Sequence, residues 1–207
     1  MSHRVRTPPG RMGRLFLERR LGSARRSAEL LDRKQRVLRS EMDRLQELAH
    51  HTAQDWHTAA AEAALWLRRA GALAGQRGLE QGASPPAEVD VVWEVTVGVR
   101  RPVRAECSFL HGAEPPVGGP ALIFAAAAHR RALMAAVAHA AAERAVVLLS
   151  AELAVTRARL RAVENRWIPA LEGTLRAVTT QLDELDREEG LRLRWATEGD
   201  RPPTRCE

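Results

Sequence analysis

From Leu17 onward, apolar residues recur at alternating steps of four and three: Leu17, Leu21, Ala24, Ala28, Leu31, Gln35, Leu38, Met42, Leu45, Ala49, Thr52, Trp56, Ala59, Ala63, Trp66 and Ala70. Only Gln35 and Thr52 in that series are not apolar, and charged residues fill the positions around it. A heptad repeat sustained over so many turns is the pattern of a coiled-coil strand. No proline interrupts it, so residues 11–72 are predicted as one helix, about 90 Å long at the usual rise per residue. Thr7-Pro8-Pro9-Gly10 precedes it as a helix breaker, leaving 1–10 as an N-terminal extension.

Gly71, Gly75, Gly78, Gly82 and Pro85-Pro86 then predict a loop. The period changes to two at Val89, Val91, Trp93, Val95, Val97 and Val99, with β-branched residues dominant, which predicts a strand. Arg100-Arg101-Pro102 reads as a break and Val103 to Leu110 as the returning strand, so 73–120 is a loop-and-β excursion ending in a second Gly/Pro-rich loop. A second helix is predicted over 121–196, with a stripe through Ala128, Ala132, Ala135, His139, Ala142, Val146, Leu149, Leu153, Thr156, Leu160, Val163 and Trp167. The stripe resumes out of step at Leu171, Leu175, Val178, Leu182 and Leu185, beside Pro169, which predicts a bend or local unwinding. Residues 197–207 read as a disordered tail. The fold class is therefore mainly α: a long antiparallel two-helix coiled coil with a small β-hairpin-containing excursion in the middle.

Composition supports helices in close approach over a bulky core. The 45% hydrophobic content is heavy in Ala and Leu, aromatics are 4%, and Tyr is absent. The net charge is +6, from 32 basic and 26 acidic residues, and Lys34 is the single lysine. Residues 1–50 carry 13 basic and 6 acidic side chains, whereas 181–207 carry 5 and 8. A basic end can meet nucleic acid or an acidic membrane surface, or it can be a solvated helix face beside an acidic neighbour. Charges of both signs alternate within 18–47, which favours the second reading and places the basic end beside Asp183, Glu184, Asp186, Glu188 and Glu189. Cys107 and Cys206 form no disulfide framework, which fits a reducing, cytoplasmic setting. Met1 to Gly10 has no secretion-signal core, and the longest apolar run, Gly119 to Ala128, is too short to span a bilayer, so no direct membrane span is expected.

The chain offers no active site. No Gly-x-x-x-x-Gly-Lys-Ser/Thr loop is present, and the Gly71, Gly75, Gly78 cluster reads as a helix exit. His50, His51 and His57 lack a carboxylate or thiol partner at metal spacing and read as a solvated face. No cofactor and no metal are expected. Trp56, Trp66 and Trp167 read as coil packing, while Trp93, in an element with little core, is a candidate partner contact.

Three stretches carry a resemblance. They are Pro9-Gly10-Arg11-Met12 with Ala28 to Leu38, then Pro116-Val117-Gly118-Gly119-Pro120-Ala121, and then Ala162-Val163-Glu164, Ile168-Pro169, Leu175 and Leu185 to Arg194. In order and spacing they resemble the D-subunit family of vacuolar/archaeal-type (V/A-type) ATPases. Departures are Arg161 where that family usually has Asn, richer Ala in the helices, and no Lys-rich tail. The resemblance implies a non-catalytic rotor subunit of the central stalk. It would be monomeric within a complex peripheral to the membrane, transmitting torque for ATP synthesis or hydrolysis coupled to proton transport. It implies as partners the A/B catalytic hexamer, the F subunit, and the C subunit (called d in eukaryotes), with no nucleic acid. Contact with the hexamer would then fall to Arg11, Arg14, Glu18, Arg19, Arg20, Arg187, Arg192 and Arg194. A coiled-coil scaffold, or a basic nucleic-acid-binding coil, is the alternative.

Overall fold

Helix α1 spans Gly10–Gln81, strands β1 and β2 span Glu88–Thr96 and Val99–Ser108, helix α2 spans Pro120–Ala162, and helix α3 spans Ile168–Gly199. A π-helical turn, Val163–Trp167, joins α2 to α3 without a loop. These elements come from a computed structural model that describes residues 7–81, 86–109 and 119–199.

The two long helices and the hairpin between them are those the periodicity predicts, and the differences lie at the edges. Helix α1 runs past 72 to Gln81, interrupted at Gly75, whose non-helical φ of 68° kinks the backbone before helical geometry resumes. Helix α3 reaches Gly199, three residues past the expected end; residues 200–207 of the tail, and 1–6 of the extension, lie outside the described residues.

The hairpin turn falls earlier than the break expected at Arg100-Arg101-Pro102. Val97 (φ 54°) and Gly98 (φ 82°) are both left-handed, as a two-residue turn matched to strand twist requires. Pro102 lies inside β2, opposite Trp93. It has no N–H to give the ladder, and the register shifts between Val92 and Trp93, leaving Val103 unpaired in a bulge.

The chain divides into two compact units, one holding residues up to Arg33 and from Arg157 onward, the other Lys34–Thr156. Within each unit the helices run antiparallel, since the partner number falls as the α1 number rises. In the first, Arg11 bonds Asp186 and Arg25 bonds Glu172; in the second, Lys34 bonds Glu152 and Glu62 accepts from Arg131. None of the sixteen heptad positions of α1 is exposed. Leu17, Leu21, Ala24 and Leu171 form the core of the first unit. Leu38, Met42, Leu45, Ala145, Leu149 and Leu153 form the main core of the second, joined by Val99 from the hairpin. Fully burying one such leucine stabilises by about 1.5–3 kcal/mol. These leucine layers therefore outweigh the mostly exposed ion pairs, each worth about 0–1 kcal/mol.

The π-turn explains the slip in the second stripe. The Ile168 N–H donates to the Val163 carbonyl, a ring one residue wider than an α-turn. Pro169 comes directly after; its ring disfavours the α-helical approach of the carbonyl four residues back, and the wider ring relieves that crowding. The inserted residue rotates all later side chains about the helix axis. Leu171 is buried in the seam while Trp167 is turned out, 40% exposed, so Trp167 is not the seam residue that the stripe suggests.

The run Pro120–Ala196 contains an 18-residue window of mean hydropathy 1.6, long and apolar enough by composition to cross a membrane. The apolar stretch of this helix is thus longer than the run 119–128. Alanine accounts for it: a stripe of small residues that lets helices approach closely also raises mean hydropathy, and Ala125, Ala128, Ala142 and Ala145 of this run are buried.

Candidate partner-contact surfaces

Among the described residues, no group of three or more His, Cys, Asp or Glu side chains is placed to hold a metal ion. His50, His51 and His57 are exposed, with His50 beside Gln54 and His51 beside Glu47. Trp56 lies between the rings of His57 and His139, at 5.2 and 5.5 Å. Two exposed surfaces stand out among the described residues.

The first surface is the end of the helix pair where α1 begins and α3 closes. Gly13 is buried there, and a Cβ on it would lie 2.0 Å from the Pro8 carbonyl oxygen, so this turn tolerates no side chain. Arg11 reaches Asp186 at 3.3 Å, and Arg14 bonds Glu18 at 2.9 Å one turn along. The Glu18 hydrogen bond and charge, with a smaller contribution from Asp183, hold the Arg14 guanidinium above its ordinary value. Arg187 pairs with Glu184 at 3.3 Å and Arg192 with Glu188 at 3.8 Å. Arg20 stands over Trp167 at 4.9 Å and over Phe16 at 5.7 Å. Arg19 is exposed. The basic end thus lies beside acidic side chains of α3, as the charge pattern implies. The surface is not purely polar, however. Met12, Leu15, Phe16, Leu191, Leu193 and Trp195 are exposed among these charges, because the apolar residues here exceed what a two-helix seam can cover.

The second surface is the hairpin. Arg101 of β2, with a side chain only 6% exposed, donates to Glu41 Oε1 of α1 at 2.7 Å and to Thr96 Oγ1 at 3.2 Å. Glu41 also accepts two bonds from Arg44. Chiefly the Arg44 hydrogen bond, against the opposing effect of burial and helped by the charges of Arg44 and Arg101, holds the Glu41 carboxyl below its ordinary range. This part-buried pair and Val99 anchor the hairpin on its helix. That leaves Val89, Val91, Trp93 and Val95 exposed along β1. Between Val89, Val91 and Trp93 and the α2 residues Val137, Ala140 and Ala141 runs an apolar groove of about 220 Å³. Arg100 stacks on Trp93 at 5.4 Å.

Residues 15–198 match the family model of the ATP synthase D subunit. The chain belongs to the ATP synthase D-subunit family. Among relatives, the D subunit of the V-type ATP synthase of Anaeromyxobacter dehalogenans strain 2CP-C is 32% identical over 192 residues, covering 89% of this chain and 92% of the relative. That of Anaeromyxobacter sp. strain Fw109-5 is 33% identical over 200 residues, covering 92% of each. The D subunit of the A-type ATP synthase of Thermococcus kodakarensis is 29% identical over 202 residues, covering 94% of each. As a member of this family, the chain carries the match through α1, the hairpin, and α2 to α3.

Two features of this D-subunit chain escape a reading of the sequence. Arg101 sits in what reads as a turn, and only the early turn at Val97-Gly98 turns it inward to Glu41; the Val-Gly pair is the available signal. The Phe16–Arg20–Trp167 stack depends on the π-turn, whose only trace in the sequence is the slipped stripe beside Pro169.

Proposed function

We propose that this chain is the central-stalk rotor subunit of a V/A-type proton-transporting ATP synthase or ATPase, carrying torque between an A/B catalytic hexamer and the membrane rotor. The observation that carries the reading is membership of the D-subunit family over nearly the whole chain, joined to an antiparallel pairing that brings the start of α1 beside α3. The chain supplies no catalytic group; ATP chemistry belongs to the A and B subunits. The F and C (or d) subunits bind elsewhere on it, it is monomeric within the complex, and it stays peripheral to the membrane.

The physics suits that work. Two helices locked along a packed seam resist twist better than one, since every core layer must shear for one strand to turn against the other. The surface at the α1/α3 end combines guanidinium groups with exposed apolar side chains, so contacts with a surrounding collar are many and individually weak. Trp93 on the hairpin contacts a further partner. Replacing Arg11, Arg14, Arg19, Arg187, Arg192 and Arg194 together by Ala is expected to lower coupled turnover of the reconstituted complex while far-UV circular dichroism stays unchanged. Unchanged ATP-driven rotation in that variant defeats the assignment of these residues. Failure of the wild-type chain to assemble with A and B subunits defeats the rotor reading itself.

A further inference from the structure

The glycines near the end of α1 help to build a cavity. Gly75, at φ 68° and ψ −179°, holds a backbone conformation that side chains other than glycine's essentially never adopt. Beyond this kink, Leu79 comes back against Ala70, Leu122 and Ala125. A Cβ at Gly71 would lie 3.5 Å from the Leu79 Cδ1, and one at Gly78 would lie 2.6 Å from the Cβ of Ala74, so the returning turn closes only with glycine at 78. Leu79 thereby becomes one wall of a cavity of about 350 Å³, with Leu67 of α1, Phe109 after β2, and Leu122 and Leu133 of α2 as others. Small-molecule sites have this size and this mostly apolar lining, with a few polar groups that fix orientation.

The charge on the lining is one-sided. Arg130 is its single guanidinium, and no carboxylate lines the cavity. Arg130 is half-buried, and its guanidinium lies 5.5 Å from the centre of the Phe109 ring, which fixes its direction. Among the described residues it makes no ion pair, whereas its neighbour Arg131 is taken by Glu62 at 2.6 Å. His129 is tied to its own helix, its Nδ1 donating to the Ala125 carbonyl at 2.8 Å. An apolar chamber with one oriented cation at its wall is complementary to an apolar chain that ends in an anion. Size narrows the choice further. At about 30 Å³ for a water-sized group, a cavity of about 350 Å³ has room for roughly ten carbons in a chain. A single leucine or phenylalanine offered by a protein partner would leave much of it empty.

We propose that this cavity binds a single-chain alkyl carboxylate of about ten carbons, its chain along the leucines and its carboxylate on Arg130. The inference is independent of the rotor reading.

The test titrates the full chain with decanoate, decanol and decyltrimethylammonium, each below its micellar concentration, by isothermal titration calorimetry. The wild type is expected to bind decanoate at one site, and to bind the other two about tenfold or more weakly. Arg130→Gln should lose about tenfold or more for decanoate and nothing for decanol. Leu133→Trp, at a position 40% exposed where the fold has room for a larger side chain, fills the cavity and should abolish decanoate binding. Far-UV circular dichroism checks that both variants fold; should the Trp variant not, the Gln variant decides alone. Decanoate binding that is absent in the wild type, unchanged in Arg130→Gln, or matched by decyltrimethylammonium overturns the carboxylate site. Unchanged decanoate binding in a folded Leu133→Trp puts the ligand elsewhere and overturns the cavity. Assembly with A and B subunits enters none of these readouts, so failure here leaves the rotor reading standing.

Discussion

Changing Glu41 to Gln removes one charge from the part-buried pair that fastens the hairpin and keeps the side chain's shape. Arg101, 6% exposed, then loses its carboxylate at 2.7 Å and keeps a neutral acceptor there, together with Thr96 Oγ1 at 3.2 Å. Breaking a buried ion pair from one side costs about 3–5 kcal/mol when the remaining charge is left with nothing. Here two neutral hydrogen bonds remain, each worth about 1 kcal/mol, so the expected loss is about 2 kcal/mol. That amount should fall on hairpin docking, because the seam of α1 and α2 is untouched. Hydrogen exchange reads such local opening directly, and about 2 kcal/mol appears as roughly 30-fold faster exchange of β1 and β2 amides. Exchange in α1 near Leu38 and Leu45 should barely change. In a cycle with Arg101→Met, the double variant should exchange more slowly than the two single effects added together predict, since no guanidinium is then left buried unpaired. Wild-type exchange in the Gln variant, or strict additivity in the cycle, refutes the anchor. Acid should act the same way. Glu41 titrates below its ordinary value in the folded chain, so its contribution is complete above the unfolded carboxylate value and is lost as pH falls through the lower folded one.

Three further outcomes are expected. Leu149→Ala opens a cavity at a fully buried position and should cost about 3–5 kcal/mol, seen as a thermal midpoint about 10 °C lower. Inserting an alanine after Asn165, beyond the one residue the π-turn already absorbs, turns every later side chain by about 100°, carrying Leu171 out of the seam, whereas Asn165→Ala leaves the register and the thermal midpoint unchanged. Trp93→Ala should fold as the wild type does by circular dichroism yet assemble less well with the subunits of the reconstituted complex, as read by co-elution.

The helices are legible in the sequence because one strong period governs each of them. Leu17 to Ala70 repeat without a proline, and the alternating valines of β1 cannot be read as helix. Legibility fails where two local signals compete. Pro102 has the character of a strand breaker, but in a two-stranded ribbon with a bulge at Val103 its missing N–H is tolerated, and Val97-Gly98 makes the turn. Pro169 correctly marks the defect in the second helix, while the period cannot say whether the backbone bends or takes up one residue. The charged end is visible as composition, yet which arginines are paired depends on the facing register. That register fixes Arg11 on Asp186 and, among the described residues, gives Arg159 no ion-pair partner. Exposed leucines of α3 are likewise indistinguishable from seam leucines until the π-turn sets their direction.

Lys34 is the chain's single lysine, and its Nζ lies 2.6 Å from Glu152 across the two helices. A carbodiimide that condenses amines with carboxylates would therefore weld the pair at one defined place, leaving an amide while the reagent takes up the elements of water and departs as a urea. The new bond closes a ring between positions 118 apart, for which the chain-entropy model gives about 4–5 kcal/mol. Almost complete reliance on guanidinium side chains has thus left the molecule with an in-built attachment point for a covalent staple.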